Sequence, residues 1–146
     1  MTALENPALR QLALKVLAQH AGSAPGTEAL VAAVRRAYDD LARVSIPLIG
    51  QVGVDALTGR ALHLAQQAHP WLIRTREPEQ WKGPLDQMIF CLEQQDPAIA
   101  TEAAGAVFGT LTGLIVSFIG EPLAMGLLRQ AWPDAFDEAR TEETQA

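Results

Sequence analysis

Basic residues are scarce in this sequence of 146 residues, which has 11 Lys and Arg against 17 Asp and Glu. The net charge at pH 7 is therefore −6, and the longest basic run is the pair Arg35-Arg36. Proteins that bind nucleic acid usually present a basic face, so we expect no nucleic-acid partner. The N-terminal residues also lack a basic segment followed by an apolar core, so no signal peptide is expected.

Cysteine is nearly absent, because Cys91 in the apolar segment MIFCLE is the single one in the sequence. One cysteine cannot form an internal disulfide, which favours a reducing compartment, and we expect the protein to be cytoplasmic. The apolar neighbours of Cys91 predict a buried and unreactive thiol.

The residue patterns of common catalytic sites are missing as well. The three histidines belong to no HExxH or Glu-x-x-His pattern, no serine lies in GxSxG, and no GxxxxGK[ST] loop occurs. We therefore expect no metal and no cofactor, and a function other than catalysis.

The composition predicts an all-α fold. Apolar residues make up 49% and charged residues 19% of the chain, enough for a folded core, while aromatic residues are only 5%. β-branched residues are also few, and Ala, Leu, Gln and Glu favour helices. We expect one domain over 1–132, a bundle of five to six helices, followed by an acidic tail over 133–146 that frays.

The bundle is expected to be organised around a central apolar helix over 97–120. Its start is indicated by Asp96-Pro97 and its end by Pro122, and no charge occurs from Ala103 to Gly120. Such a segment suits either a transmembrane helix or the buried core helix of a soluble bundle. Lys and Arg do not flank it closely, so we favour the buried helix and a protein that needs no detergent.

Small residues recur every fourth position along this central helix, at Gly105, Gly109, Gly113 and Ser117. This spacing places them on one face, where a neighbouring backbone can approach closely. Each glycine costs about 0.8–1 kcal/mol relative to alanine within a helix, so close packing must offset that cost. We expect the stripe to contact another helix, either within the chain or across a dimer.

The remaining pattern predicts several shorter helices and a possible internal repeat. In the second helix, Pro47 is expected to bend or end the helix, and Leu48-Ile49-Gly50 to close it. Residues 34–50 resemble residues 104–120 at an offset of 70, which suggests two similar three-helix units around a pseudo-twofold axis. The other helices are predicted over 6–20, 52–69, 84–95 and 121–132, with an irregular connection over 73–83.

Three functions follow from these patterns. The first is a regulatory or scaffolding protein that associates with itself as a homodimer or with another protein. The second is a small-molecule sensor with an apolar pocket lined by Phe108, Phe118 and Met125. The third is phosphotransfer, because an exposed histidine midway along a bundle helix, as expected for His63, resembles the phosphoacceptor of histidine-phosphotransfer domains, although the Lys-Gly pair common in that family does not follow.

Overall fold

The described helices pack into an all-α bundle, as the composition predicts. The computed structural model describes residues 7–22, 26–72 and 83–136. Most of the predicted connection over 73–83 therefore lies outside the described residues. The helices are α1 (Pro7–Ala21), α2 (Thr27–Ala65), α3 (Pro84–Leu92), α4 (Pro97–Ile119) and α5 (Glu121–Ala131).

The predicted central helix is confirmed as α4, which packs against each of the other four helices. Pro97 occupies its first turn, and the carbonyl of Asp96 accepts the first backbone hydrogen bond, from the Ala100 amide at 2.8 Å. The one polar side chain buried on α4, Thr112, donates back to the Phe108 carbonyl at 3.0 Å. This bond satisfies the hydroxyl inside an otherwise apolar surface.

By length and composition, α4 is the one helix in the described part of the chain that could cross a membrane. Its most apolar window of 18 residues is 56% buried inside the protein. A core helix surrounded by other helices meets the same requirement of length and hydropathy.

The helix α2 continues past Pro47, which was expected to bend or end it. It turns sharply at Gly50, the last residue of the predicted closing segment 48–50. Gly50 has φ 83° and ψ 159°, so α2 consists of two arms, 27–49 and 51–65. Pro47 is exposed, and the first arm continues past it for less than one turn, to residue 49. The turn needs a positive φ, which glycine adopts without a steric penalty.

The correspondence at an offset of 70 extends in helix bounds and burial beyond the predicted segment. The 23 residues of α4, shifted back by 70, match the first arm of α2, and each segment ends at a glycine of similar conformation, Gly50 or Gly120 (φ 92°, ψ 153°). All 12 buried residues of α2 have buried counterparts 70 positions later, from Leu30 and Ala100 to Ala65 and Ala135. The first unit is thus α1 with both arms of α2, and the second is α3, α4 and α5.

Each unit packs its first helix against the long helix of the other unit. α1 makes its most extensive contact with α4, and α3 makes its most extensive contact with α2. Across the same boundary, the buried indole N–H of Trp132 donates to the Ala37 carbonyl at 3.1 Å. The core is therefore shared by both units.

The packed chain runs past the predicted domain end at residue 132. Residues 133–136 form a further helical turn, and within it Ala135 is buried. Beside this turn, the guanidinium carbon of Arg129 lies 5.4 Å from the ring centre of Phe136. Pro133 thus ends α5 and starts the new turn. Residues 137–146 lie outside the described residues.

Candidate functional site

The glycine stripe of α4 lies against α1 within the same chain at two of its positions. A Cβ atom built on Gly109 would lie 3.0 Å from the backbone Cα of Arg10. One turn earlier, a Cβ on Gly105 would lie 2.5 Å from Cδ2 of Leu14. The order of these contacts shows that α1 and α4 run antiparallel, with almost no space between their backbones.

The two remaining positions of the stripe differ from each other. Gly113 is buried, whereas Ser117 is exposed near the end of α4. On the other side of the crossing, Arg10 Nη2 lies 3.3 Å from Glu102 Oε1. At Gly105 and Gly109 the partner of the stripe is therefore α1, so these two positions are not available to another chain.

The three residues expected to line an apolar pocket lie in different surroundings. Phe108 is buried in the core, where its ring meets Trp132 edge-on at a centroid distance of 6.2 Å. Phe118 is 64% exposed, about 15 Å further along the helix axis at 1.5 Å per residue. Met125 is half-buried on α5. Phe108 stabilises the core, whereas Phe118 is available to a partner.

His63 lies on the second arm of α2 and is exposed, as its place opposite the apolar side predicts. Its neighbours on that side, Arg60 and Gln67, are exposed too. Phosphotransfer through His63 stays a prediction. Within the described ranges, no three side chains from His, Cys, Asp and Glu lie close enough to hold a metal ion.

The thiol of Cys91 is buried on α3, as its apolar neighbours predict. Burial raises the pKa of the Cys91 thiol, because the thiolate would lose its hydration. The nucleophilic form is therefore suppressed at neutral pH.

Exposed apolar side chains concentrate around the two bends. Among the described residues, five large apolar side chains are exposed, and four of them lie within three positions of Gly50 or Gly120. The fifth, Ile99, is at the opposite end of α4. We call the four the bend surface: Leu48 (52% exposed), Val52 (83%), Phe118 (64%) and Leu123 (49%).

A groove brings the two bends side by side. Pro47 and Leu48 of the first arm of α2 form one wall, and Pro122 and Leu123 of α5 form the other. The groove has a volume of about 430 Å³. Counterparts in the repeat are exposed together, since Leu48 corresponds to Phe118 at the offset of 70. Leu48 and Leu123 thus meet in one groove built from both units, whereas Val52 and Phe118 lie outside its lining.

The sequence around the bend surface is uncharged. No Asp, Glu, Lys or Arg occurs between Arg43 and Asp55, or between Glu102 and Glu121. Arg43 borders the groove on α2, and Glu121 is exposed at the start of α5. An apolar surface with both signs of charge at its border is typical of a contact between proteins.

Sequence reasoning selected Phe118 and missed Leu48, Val52 and Leu123. Leu123 has the helical spacing of an inward residue, since Leu127 and Ala131 follow at intervals of four and both are buried. The signal that points to the surface is the repeat, which aligns the uncharged ends of the two long helices. Comparison with known protein families, with curated proteins and with solved structures finds no match for this chain.

Proposed function

We propose that the chain acts through protein–protein association, as a homodimer whose contact is the bend surface. The observation that carries the proposal is the concentration of four of the five exposed large apolar side chains at the two bends. Apolar side chains left in water at one end of a folded domain favour association, because their burial releases about 25 cal/mol per Å².

The chemistry of the bend surface favours a second copy of the chain as its partner. An uncharged surface gives a strongly charged partner, such as nucleic acid, nothing to pair with. A second copy offers the same apolar side chains in a twofold contact, where each surface residue is buried twice. The opposite charges of Arg43 and Glu121 at the border also permit pairing between two copies.

The proposal is tested with single substitutions in the full chain. In a twofold contact, Phe118→Ser or Leu48→Ser removes one apolar side chain from each copy. Phe118 is 64% and Leu48 52% exposed in the single chain, so each loss costs about 1 kcal/mol and the dimer should weaken at least about tenfold. Ile99→Ser is the matched control, because Ile99 is an exposed apolar residue of the same helix at its other end.

The measurement is mass in solution across a dilution series, by native mass spectrometry and light scattering. We expect a wild-type dimer, a dimeric Ile99→Ser variant and monomeric Phe118→Ser and Leu48→Ser variants with unchanged helicity. A wild-type chain that is monomeric at every concentration would show that the proposal is wrong. Binding of that monomer to lipid vesicles, lost on Phe118→Ser, would assign the bend surface to a membrane instead.

A further inference from the structure

A pocket of about 210 Å³ opens on another side of the molecule, between α1, the first arm of α2 and the end of α5. The buried Trp132 lies in its lining together with Val16 and Ala131, and these residues supply an apolar face. Its polar lining comes mainly from α1, α2 and α5: Gln19, His20, Arg36, Asp40, Arg43 and Gln130.

Three nitrogen groups surround the carboxylate of Asp40 without forming a close hydrogen bond to it. His20 Nε2 and Arg36 Nε each lie 3.8 Å from Oδ2, and Arg43 Nη2 lies 3.8 Å from Oδ1. Charge-assisted hydrogen bonds are about 2.7–2.9 Å long, so the guanidinium donors are not saturated at these distances. Each arginine also brings about five N–H donors, more than one carboxylate can accept from both.

The fold itself does not require these charges. The repeat supplies a comparison, because Arg36, Asp40 and Arg43 correspond at the offset of 70 to Ala106, Thr110 and Gly113. The second unit forms the same long helix with uncharged residues at all three positions. The charged cluster therefore occurs in the first unit alone, with the side chains of Arg36 and Arg43 70% and 66% exposed.

We propose that this pocket binds a small anion that carries a carboxylate or phosphate group. The guanidinium groups of Arg36 and Arg43 hold the oxyanion, since their planar fork of donors matches both groups. The face of the pocket at Trp132 accommodates the apolar part of the ligand. At about 210 Å³ the pocket is below the usual range for drug-sized ligands, so the ligand is small.

Asp40 has the opposite effect from the arginines in this proposal. Its carboxylate occupies the same guanidinium groups that the ligand needs and repels an approaching anion. Asp134 adds a second negative charge at the border, so a bound anion must compete for Arg36 and Arg43. Removal of the Asp40 charge should tighten anion binding, whereas it would weaken the binding of a cation.

The test is a titration of the full chain with inorganic phosphate, acetate and benzoate, at constant ionic strength maintained with chloride. Binding is followed by calorimetry and by the NMR signal of the Trp132 indole. The variants are Arg36→Gln and Asp40→Asn, with Arg35→Gln as the control, since Arg35 is an exposed arginine of the same arm that lines a different groove. Arg36 is chosen over Arg43 because Arg43 also borders the bend surface.

We expect saturable binding of at least one probe to the wild-type chain, with benzoate and phosphate separating a carboxylate ligand from a phosphate ligand. Arg36→Gln should weaken it about tenfold, the loss of one charge-assisted hydrogen bond, while Arg35→Gln should leave it unchanged. Asp40→Asn should bind more tightly than the wild type. The proposal is overturned if neither wild type nor Asp40→Asn binds any probe, if Arg36→Gln binds like the wild type, or if Asp40→Asn binds more weakly. None of these outcomes depends on the mass of the protein, so they are independent of the dimer.

Discussion

Replacement of Gly109 by alanine tests the closest helix crossing in the molecule. The added methyl group would lie 3.0 Å from Cα of Arg10, a backbone atom that cannot move to another rotamer. Alanine improves helix propensity by about 0.8–1 kcal/mol relative to glycine. Overpacking costs about 1–3 kcal/mol, because α1 must shift as a unit and carries the Arg10–Glu102 ion pair with it. We expect a net loss of about 1 kcal/mol.

Two other glycines make this experiment decisive. Gly59 is helical and a Cβ built on it meets nothing within 4 Å, so Gly59→Ala should stabilise the chain by about 0.4–1 kcal/mol. Gly105→Ala should cost less than Gly109→Ala although its contact is shorter, because the obstructing atoms, Cδ2 and Cγ of Leu14, belong to a side chain and not to the backbone. Thermal unfolding measures all three, at about 2–4 °C per kcal/mol for a chain of this size. A Gly109→Ala variant that melts as high as Gly59→Ala would refute the close crossing.

Two further predictions concern buried polar atoms. Cys91 should react with a thiol reagent far more slowly in the native chain than in urea, because burial raises its pKa, and equal rates would contradict its burial. Among the described residues the buried Ser45 hydroxyl has no hydrogen-bond partner, whereas the Thr58 hydroxyl lies 2.8 Å from the Val54 carbonyl and 3.4 Å from the Tyr38 hydroxyl. Urea unfolding should therefore show Thr58→Val destabilised by about 1–3 kcal/mol and Ser45→Ala at least as stable as the wild type, and the reverse order would refute this hydrogen-bond assignment.

The fold could largely be predicted from the sequence, because its strongest signal, the apolar segment that forms α4, is local. The uncharged segment from Ala103 to Gly120, together with Asp96-Pro97 before it and Pro122 after it, predicts α4 to within a residue or two. The helix α2 turns at Gly50, within the predicted closing segment 48–50, and not at Pro47. Proline is the stronger breaker in isolation, whereas the positive φ at Gly50 arises only in the folded chain.

The candidate site could be predicted from the sequence only in part. The exposure of a residue on one helix depends on how far the neighbouring helix extends over it. α1 has 15 residues and spans about 22 Å, whereas α4 has 23 residues and spans about 34 Å. Because α1 begins at Pro7 and crosses α4 at Gly105 and Gly109, its N-terminal end lies near Gly113. The last turns of α4, with Ser117 and Phe118, extend beyond it. Hydrophobic periodicity predicts on which face of a helix a residue lies. It carries no information on the difference in length between α1 and α4.

The two units share a pattern of burial but differ in the chemistry of what they bury. Tyr38, Ser45 and Thr58 of the first unit correspond to Phe108, Ile115 and Leu128 of the second, all buried. Tyr38 and Ser45 line a small internal cavity together with residues of both arms. The charged cluster around Asp40 likewise belongs to the first unit alone.

A comparison of corresponding positions in the two units indicates which residues the shared core explains. A position where both units bury an apolar residue is explained by the shared core, as for Leu41 and Leu111. A position where the first unit alone carries a hydroxyl or a charge is not explained by the shared apolar core. A buried hydroxyl at such a position, as at Thr58, contributes to stability through its own hydrogen bond. The charged cluster around Asp40 and the buried hydroxyl of Ser45 both lie on the first arm of α2. Substitutions there should therefore alter ligand binding most readily, whereas substitutions on α4 should alter the free energy of unfolding most readily.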